Sequence, residues 1–289
     1  MHHEPQPGSF SGRPEIDRST LRDLLLDSLP GDTVVWRHRL VAATPRPDGG
    51  WELTFHGGHR TGCYILVGAD GARSVVRSLL TDVPLSGVAT LAELNIGDVD
   101  RRHPDLAELV GPGNLWCVGV NQILAAQRLG DGSLRVGISL PADDRPIDAY
   151  RRKPALLDMF GGWDPRLTAL IEAGDSAPTP RLIEAMPIGT RWSSRPGVTL
   201  IGDAAHLMPP VGEGANQAML DAAELASRLV ANPADPESAI RAYEEVMFTR
   251  IHPIAGMSAR VQAMMLSPTA AEDIVRFFTA RPAEPAPAD

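Results

Sequence analysis

Cysteine is almost missing from this 289-residue chain: Cys63 and Cys117 are the only two, with no CxxC and no histidine at ligand spacing. That scarcity gives no support to a disulfide framework or a thiolate metal site, and it leaves a reducing cytoplasm as the default compartment. No block of basic residues offsets the formal charge of -9. Nucleic acid and anionic membrane surfaces are therefore poor partners. No apolar run approaches the length of a membrane span. The opening MHHEPQPGSFSG has neither the charged nor the apolar region of a signal peptide, and a terminal pair of histidines is not a metal site. What remains is an ordinary soluble composition, 43% hydrophobic and 22% charged, long enough for one large or two small domains.

Residues 1–14 read as coil. From Asp17, a plausible N-cap, DRSTLRDLLLDSL sets Leu21, Leu24, Leu25 and Leu29 on one helical stripe and stops at Pro30-Gly31. TVVWRHRLVAAT, GWELTFH and CYILVGAD then read as three strands, with turn-rich links over 45–50 and 57–62. The third is nearly all apolar, as a strand covered on both faces would be. SVVRSLL reads as a short helix. Residues 85–140 carry short strand-like pieces, VATLAELNI, NLWCVGVN, ILAAQRL and LRVGISL, the pattern of an antiparallel sheet. Helical PALLDMF and DPRLTALIEAG follow, then RLIEAMPIG and GVTLIGD as strands. The last third is helical, broken or kinked at Pro253, with a disordered tail over 281–289.

Two strand ends carry chemistry. In YILVGADGARS an apolar strand runs into Gly68 and then Asp70-Gly71, which is either a plain strand-to-helix turn or the edge of a ligand site. In LIGDAAHLMPPVGEGANQAM the device is fuller. Asp203 ends a strand, where a carboxylate can accept from ribose or ribityl hydroxyls. Pro209 and Pro210 stiffen the loop, and Gly212 and Gly214 let a flat ligand lie on the main chain. Ala215 and Asn216 open a helix whose free amides favour negative charge. His206 reads as structural, since no acid or nucleophile stands at a spacing that would make it a base.

Taken together, LVGADGARSVVR and GVTLIGDAAHLMPPVGEGANQAMLDAAEL resemble the DG and GD motifs of the FAD-dependent aromatic-hydroxylase class of flavoprotein monooxygenases, the p-hydroxybenzoate hydroxylase fold. The order of the pieces is most similar to the tetracycline-inactivating monooxygenases. RPEIDRSTLRDLLLDSL resembles the segment whose arginine reaches the flavin, here Arg18. The resemblance covers residues 13 to about 266. It implies an α/β fold: an incomplete FAD-binding Rossmann-like domain with an inserted antiparallel-sheet substrate domain and C-terminal helices. The implied parts are 13–84 and 191–232 for FAD, 85–190 for substrate and 233–280 for the helices. It also implies that Asp203 holds the ribityl or pyrophosphate region, and that Pro210, Gly212, Gly214, Ala215 and Asn216 line the pyrimidine end. Asp70 and Gly71 would support FAD. NADPH or NADH and O₂ would be co-substrates, and an aromatic or polyketide-like small molecule the substrate; the cofactor carries the oxygen chemistry, so no catalytic side chain is implied.

The chain departs from the family in lacking a GxGxxG turn after a strand: GPGNLW and GEGANQ both miss the third glycine. The expectation is an N-terminally truncated form that binds FAD weakly or not at all. The PPVGEGAN loop is one residue shorter than the common form. Trp116, Asn121, Gln122 and Gln127 stand where a substrate could meet them, but none is assigned. Three alternatives stay open. One is a halogenase or prenyl reductase of the same fold, although MPIGTRW offers neither the WxWxIP-like stretch nor the positioned lysine of a halogenase. A non-catalytic remnant would bind a small molecule or a partner chain. A plain NAD-dependent dehydrogenase lacks a ribose-binding acid after a Gly-rich turn.

Overall fold

The computed structural model describes residues 16–279; the coil expected over 1–14 and the tail expected over 281–289 lie outside them. Asp17 caps α1 (Arg18–Asp27), accepting from the amides of Ser19 and Thr20 as its position before the leucine stripe predicts. The stripe itself is not used. No residue of α1 is buried, and Leu24, Leu25 and Leu29 face outward.

β1 (Leu40–Pro45), β2 (Trp51–Phe55) and β3 (Arg60–Cys63) form an antiparallel sheet in that order. β1 starts later than the pattern suggested. β3 occupies part of the stretch read as a turn, because its polar RTGC is held by register with β2 (Glu52↔Gly62, Thr54↔Arg60) rather than by apolar alternation. β4 (Leu66–Gly68) leaves that sheet and later pairs in parallel with a distant strand. SVVRSLL gives only a 3-10 turn, Arg77–Leu79.

β5 (Ser86–Ile96) enters a five-stranded antiparallel sheet. Before its next strand the chain makes two helices that sequence reading did not anticipate, α2 (Val99–Arg102) and α3 (Pro104–Val110), the latter with Pro104 in its first turn. Strands β6 (Asn114–Gly119), β7 (Gln122–Arg128) and β8 (Leu134–Pro141) follow, then helices α4 (Lys153–Met159) and α5 (Pro165–Glu172), then β9 (Thr179–Ala185). The spatial order is β6-β7-β8-β5-β9. Register places Ala92 opposite Ile138, Leu94 opposite Val136 and Ile96 opposite Leu134. With side chains alternating at period two, these residues share one face with Leu124 and Ala126. That face is buried under Leu106 and Val110 of α3, Leu156 of α4 with the adjoining Phe160, and Leu170 and Ile171 of α5.

A second core joins the two ends of the chain. β10 (Val198–Leu200) lies parallel to β4, Val198 beside Leu66 and Leu200 beside Gly68. Helices α6 (Asp203–His206), α7 (Gly214–Ala231), α8 (Pro236–Met265) and α9 (Ala270–Thr279) complete the fold. Tyr243 of α8 donates to the Leu200 carbonyl at 3.0 Å, and Trp192 and Thr199 both donate to the buried Glu244. Of the two readings at Pro253, broken or kinked, the break does not occur: α8 runs through the proline as one helix. Ile251 and the half-buried Ile254 and Ala255 pack on the same core on either side of the proline, so tertiary burial outweighs the missing amide.

The parallel pair is tight. A Cβ on Gly68 would stand 2.6 Å from Leu200 Cδ2 and 2.7 Å from Val76 Cβ. Gly68→Ala is accordingly expected to cost about 1–3 kcal/mol, read as a lower melting temperature, since overpacking must displace the strand or the 3-10 turn.

Candidate flavin and substrate site

Because β4 and β10 are adjacent and parallel, their carboxyl ends lie side by side, where open α/β sheets gather ligands. Arg77 fastens them. This side chain, 6% exposed, donates to the carbonyls of Ala72 (2.7 Å) and Gly71 (3.2 Å) after β4, and of Ala204 (2.7 Å) and Asp203 (2.8 Å) after β10. Burial pulls its pKa down, opposed by Asp70, Asp203 and Glu184. Sequence reading missed Arg77, although an arginine closing an apolar SVVR turn was the available signal.

Asp70 is used differently from expectation. Its carboxylate accepts from the Ser74 hydroxyl and from the amides of Val75 (2.7 Å) and Val76 (3.3 Å), so it closes its own loop. Gly71, at φ 78°, makes the left-handed bend there. Asp203 is free by contrast. It is exposed, its carboxylate makes no hydrogen bond among the described residues, and Oδ1 lies 3.8 Å from where a Cβ on Gly214 would be.

Behind Asp203 stands a buried cluster. The carboxylate of Asp221, wholly inaccessible, accepts from Gly202 N (2.8 Å), His206 Nε2 (2.6 Å) and Arg250 Nη2 (2.6 Å), and Arg250 also binds Gln217. Burial drives the Asp221 carboxyl upward, but its hydrogen bond and charge pairing with His206, helped by Arg250 and the Gly202 amide, outweigh this and hold it below the usual carboxylate range. His206 thus has an acid beside it, contrary to the spacing argument. The acid locks the turn. Gly202 is at φ 58° with Ala218 Cβ 2.9 Å from its own would-be Cβ, so β10 passes directly onto α7.

The start of α7 is open. No side chain caps it, and its first intrahelical bond runs from Gln217 N to Glu213 O at 3.0 Å. The amides of Gly214, Ala215 and Asn216 therefore face outward at the positive end of an 18-residue helix. Gly212, at φ 101°, has no heavy atom within 4 Å of a would-be Cβ, which leaves room against the main chain. Pro209 is buried and Pro210 exposed. Arg18 is not gathered here: it is exposed at the head of α1, whose cap Asp17 lies in the field of Arg135 on β8.

Next to Pro209 lies a cavity of about 620 Å³. One wall is the end of the large sheet, with Val88 of β5, Pro141 of β8 and Ala185 of β9; the other is one face of α8, Ala255, Ala259, Gln262 and Ala263, with Leu266 capping its end. Met186 N donates to Leu207 O at 2.9 Å, which sets Met186 and Met208 across its floor. The polar residues noted in the sheet are elsewhere. Gln122 ties Met159 O and the Trp163 indole together, the Asn121 amide donates to Ser267 O, Trp116 faces outward, and none of these or Gln127 lines the cavity. The cavity is apolar at helical spacing, and in sequence such residues read simply as core.

Adjacent parallel strand ends, an uncapped helix and an apolar cavity against a proline loop stand together at one end of the fold. Over most of its length the chain resembles the FAD-dependent monooxygenases of the aromatic-hydroxylase type. Residues 186–246 match the family model described as FAD binding domain. The chain is 33% identical over 246 residues to the 3-amino-4-hydroxybenzoate 2-monooxygenase PtmB3 of Streptomyces platensis, covering 83% of this chain and 60% of that protein. Its fold is that of Klebsiella pneumoniae HpxO complexed with FAD and uric acid (TM-score 0.75, 21% identity, 91% of this chain, 67% of that one). The tetracycline destructase Tet(51) superposes with a TM-score of 0.62 (18% identity, 83% of this chain, 64% of that one). The chain spans 70%, 62% and 60% of the lengths of three curated relatives it matches. No helix among the described residues is long and apolar enough to cross a membrane.

Proposed function

We propose that this chain is the flavin-facing and substrate-covering part of a monooxygenase that uses FAD, NADPH or NADH and O₂ to hydroxylate an aromatic or polyketide-like small molecule. The observation that carries this is the free carboxylate of Asp203 beside the uncapped start of α7, with an apolar cavity next to the same loop. These groups fit a flavin: an acid for polyol hydroxyls, open amides for an acceptor-rich ring, and a main chain bare of Cβ at Gly212 and Gly214. Bound FAD supplies reduction by the nicotinamide nucleotide and activation of O₂.

The chain's own groups do the rest. Asp203 orients the ribityl or pyrophosphate region. The amides of Gly214, Ala215 and Asn216 favour negative charge at the ring end, because no side chain caps the start of α7. Gly71 lends the site its backbone bend, while Asp70 holds the loop and Pro210 borders the ring. The apolar cavity keeps water from the reacting carbon. Cys63 and Cys117 are free thiols whose pKa values burial raises.

Asp203→Ala is expected to raise the FAD dissociation constant at least about tenfold, measured by flavin fluorescence titration, with little change in melting because no internal bond is lost. An alanine variant that holds FAD as well as its parent removes Asp203 from the site. A parent chain that neither binds FAD nor oxidises NADPH or NADH with excess FAD removes the activity from this chain.

A further inference from the structure

The cavity beside Pro209 has a composition that selects among ring substrates. Its lining is aliphatic, thioether and proline surface, with Ser86 and Gln262 the polar exceptions, and no lining residue among the described residues carries a charge. Arg260, the basic residue of α8 between Ala259 and Gln262, is exposed and turns its guanidinium back along Gly256, within 3.5 Å of where a Cβ there would be. Gln262 is half-buried, and its side-chain amide makes no hydrogen bond among the described residues. An amide offers one acceptor and two donors and no charge. The volume, about 620 Å³, is some four times that of a roughly 150 Å³ cavity that takes benzene.

We propose that the substrate is a neutral, fused-ring molecule of two or three rings whose single hydroxyl or carbonyl group is held by Gln262, and not a ring carboxylate. This rests on the reading of the cavity as the substrate chamber. The physical reason is desolvation: a carboxylate moved into this lining leaves water without gaining a cation, whereas a phenolic hydroxyl exchanges a water for the Gln262 amide. The PtmB3 relative is named for an aminohydroxybenzoate. This chain, similar to it over 246 residues, would therefore differ from it in substrate charge.

The test uses the whole 289-residue chain and two fluorescent probes of equal ring size, 2-naphthol and 3-hydroxy-2-naphthoate, in equilibrium dialysis at pH 7, with no need for turnover. The expected result is binding of 2-naphthol at least about tenfold tighter than of the carboxylate. Ala259→Arg, which adds a cation to the lining, is expected to erase or reverse that preference. Gln262→Leu is expected to weaken 2-naphthol several-fold and leave naphthalene unchanged. Equal or tighter binding of the carboxylate by the parent, or no binding of either probe, overturns the proposal. The flavin reading is judged separately by FAD titration and nicotinamide oxidation, so loss of one does not hide the other.

Discussion

Asp221→Asn is expected to lower the stability of the protein by about 3 kcal/mol, near the low end of what breaking a buried ion pair costs. For a chain of this size that corresponds to a fall in melting temperature of roughly 6–12 °C. The side chain is fully buried and collects three donors from three segments: Gly202 N at the end of β10, His206 on α6 and Arg250 on α8. An asparagine has one acceptor oxygen and must aim its amino group at a donor. Arg250 then keeps only Gln217 and a longer contact to Glu224 at 3.6 Å.

The pH dependence follows in sign. The folded Asp221 carboxyl is held below its unfolded value of about 3.9. Its contribution is therefore complete above that pH and is lost as pH falls through the lower, folded value. Melting temperatures taken from pH 7 to pH 3 should show the parent losing stability in acid more steeply than Asp221→Asn, so the two curves converge. Parallel curves, or a variant melting within about 2 °C of its parent, would take the cluster out of the fold's support.

Much of this architecture is visible in the residues. In the large sheet β8 alternates cleanly and β5 does so over its second half, because one face is covered by helices and the other is not, so period two survives in the sequence there. The glycine-acid ends of β4 and β10 are visible for a similar reason: each apolar run stops where only glycine fits. What hides is whatever depends on a pairing partner rather than on a strand's own apolar pattern. β3 is polar and exists by pairing with β2. Nothing local says that β4 leaves its hairpin neighbours for β10, some 130 residues on. The unbroken α8 is hidden too, since the helix rule at Pro253 is overridden by one core that holds residues on both sides of the proline.

Asp221 was half legible. Gln217, Asp221 and Leu225 are the buried positions of α7 and fall four apart, so an acid on a buried stripe was a signal that phase alone would give. The chamber was the least legible, because its walls are alanine, methionine and proline. The polar singletons that caught attention are spent on structure: Gln122 spans β7 to α4, and Trp116 lies outside.

Arg77→Leu should separate the two motifs from each other. Arg77 is the one side chain described here that bonds both strand ends, and its four acceptors are main-chain carbonyls, two after β4 and two after β10. A leucine leaves the buried Ala204 carbonyl without a donor, at about 1–3 kcal/mol, while the three part-buried carbonyls can turn partly to water at smaller cost. A total loss of about 3 kcal/mol is expected in urea unfolding, together with at least about tenfold weaker FAD binding, because Asp203 and the start of α7 lose their fixed relation to the β4 turn. Arg77→Lys is the informative control. It keeps the charge in the field of Asp70, Asp203 and Glu184 but replaces a planar fork by a point donor, which cannot span four carbonyls on two loops. It should recover part of the stability and little of the flavin affinity. If the lysine variant binds FAD like its parent, charge alone suffices and the fork has no organising role. If the leucine variant does so, the two strand ends hold their places without any clamp.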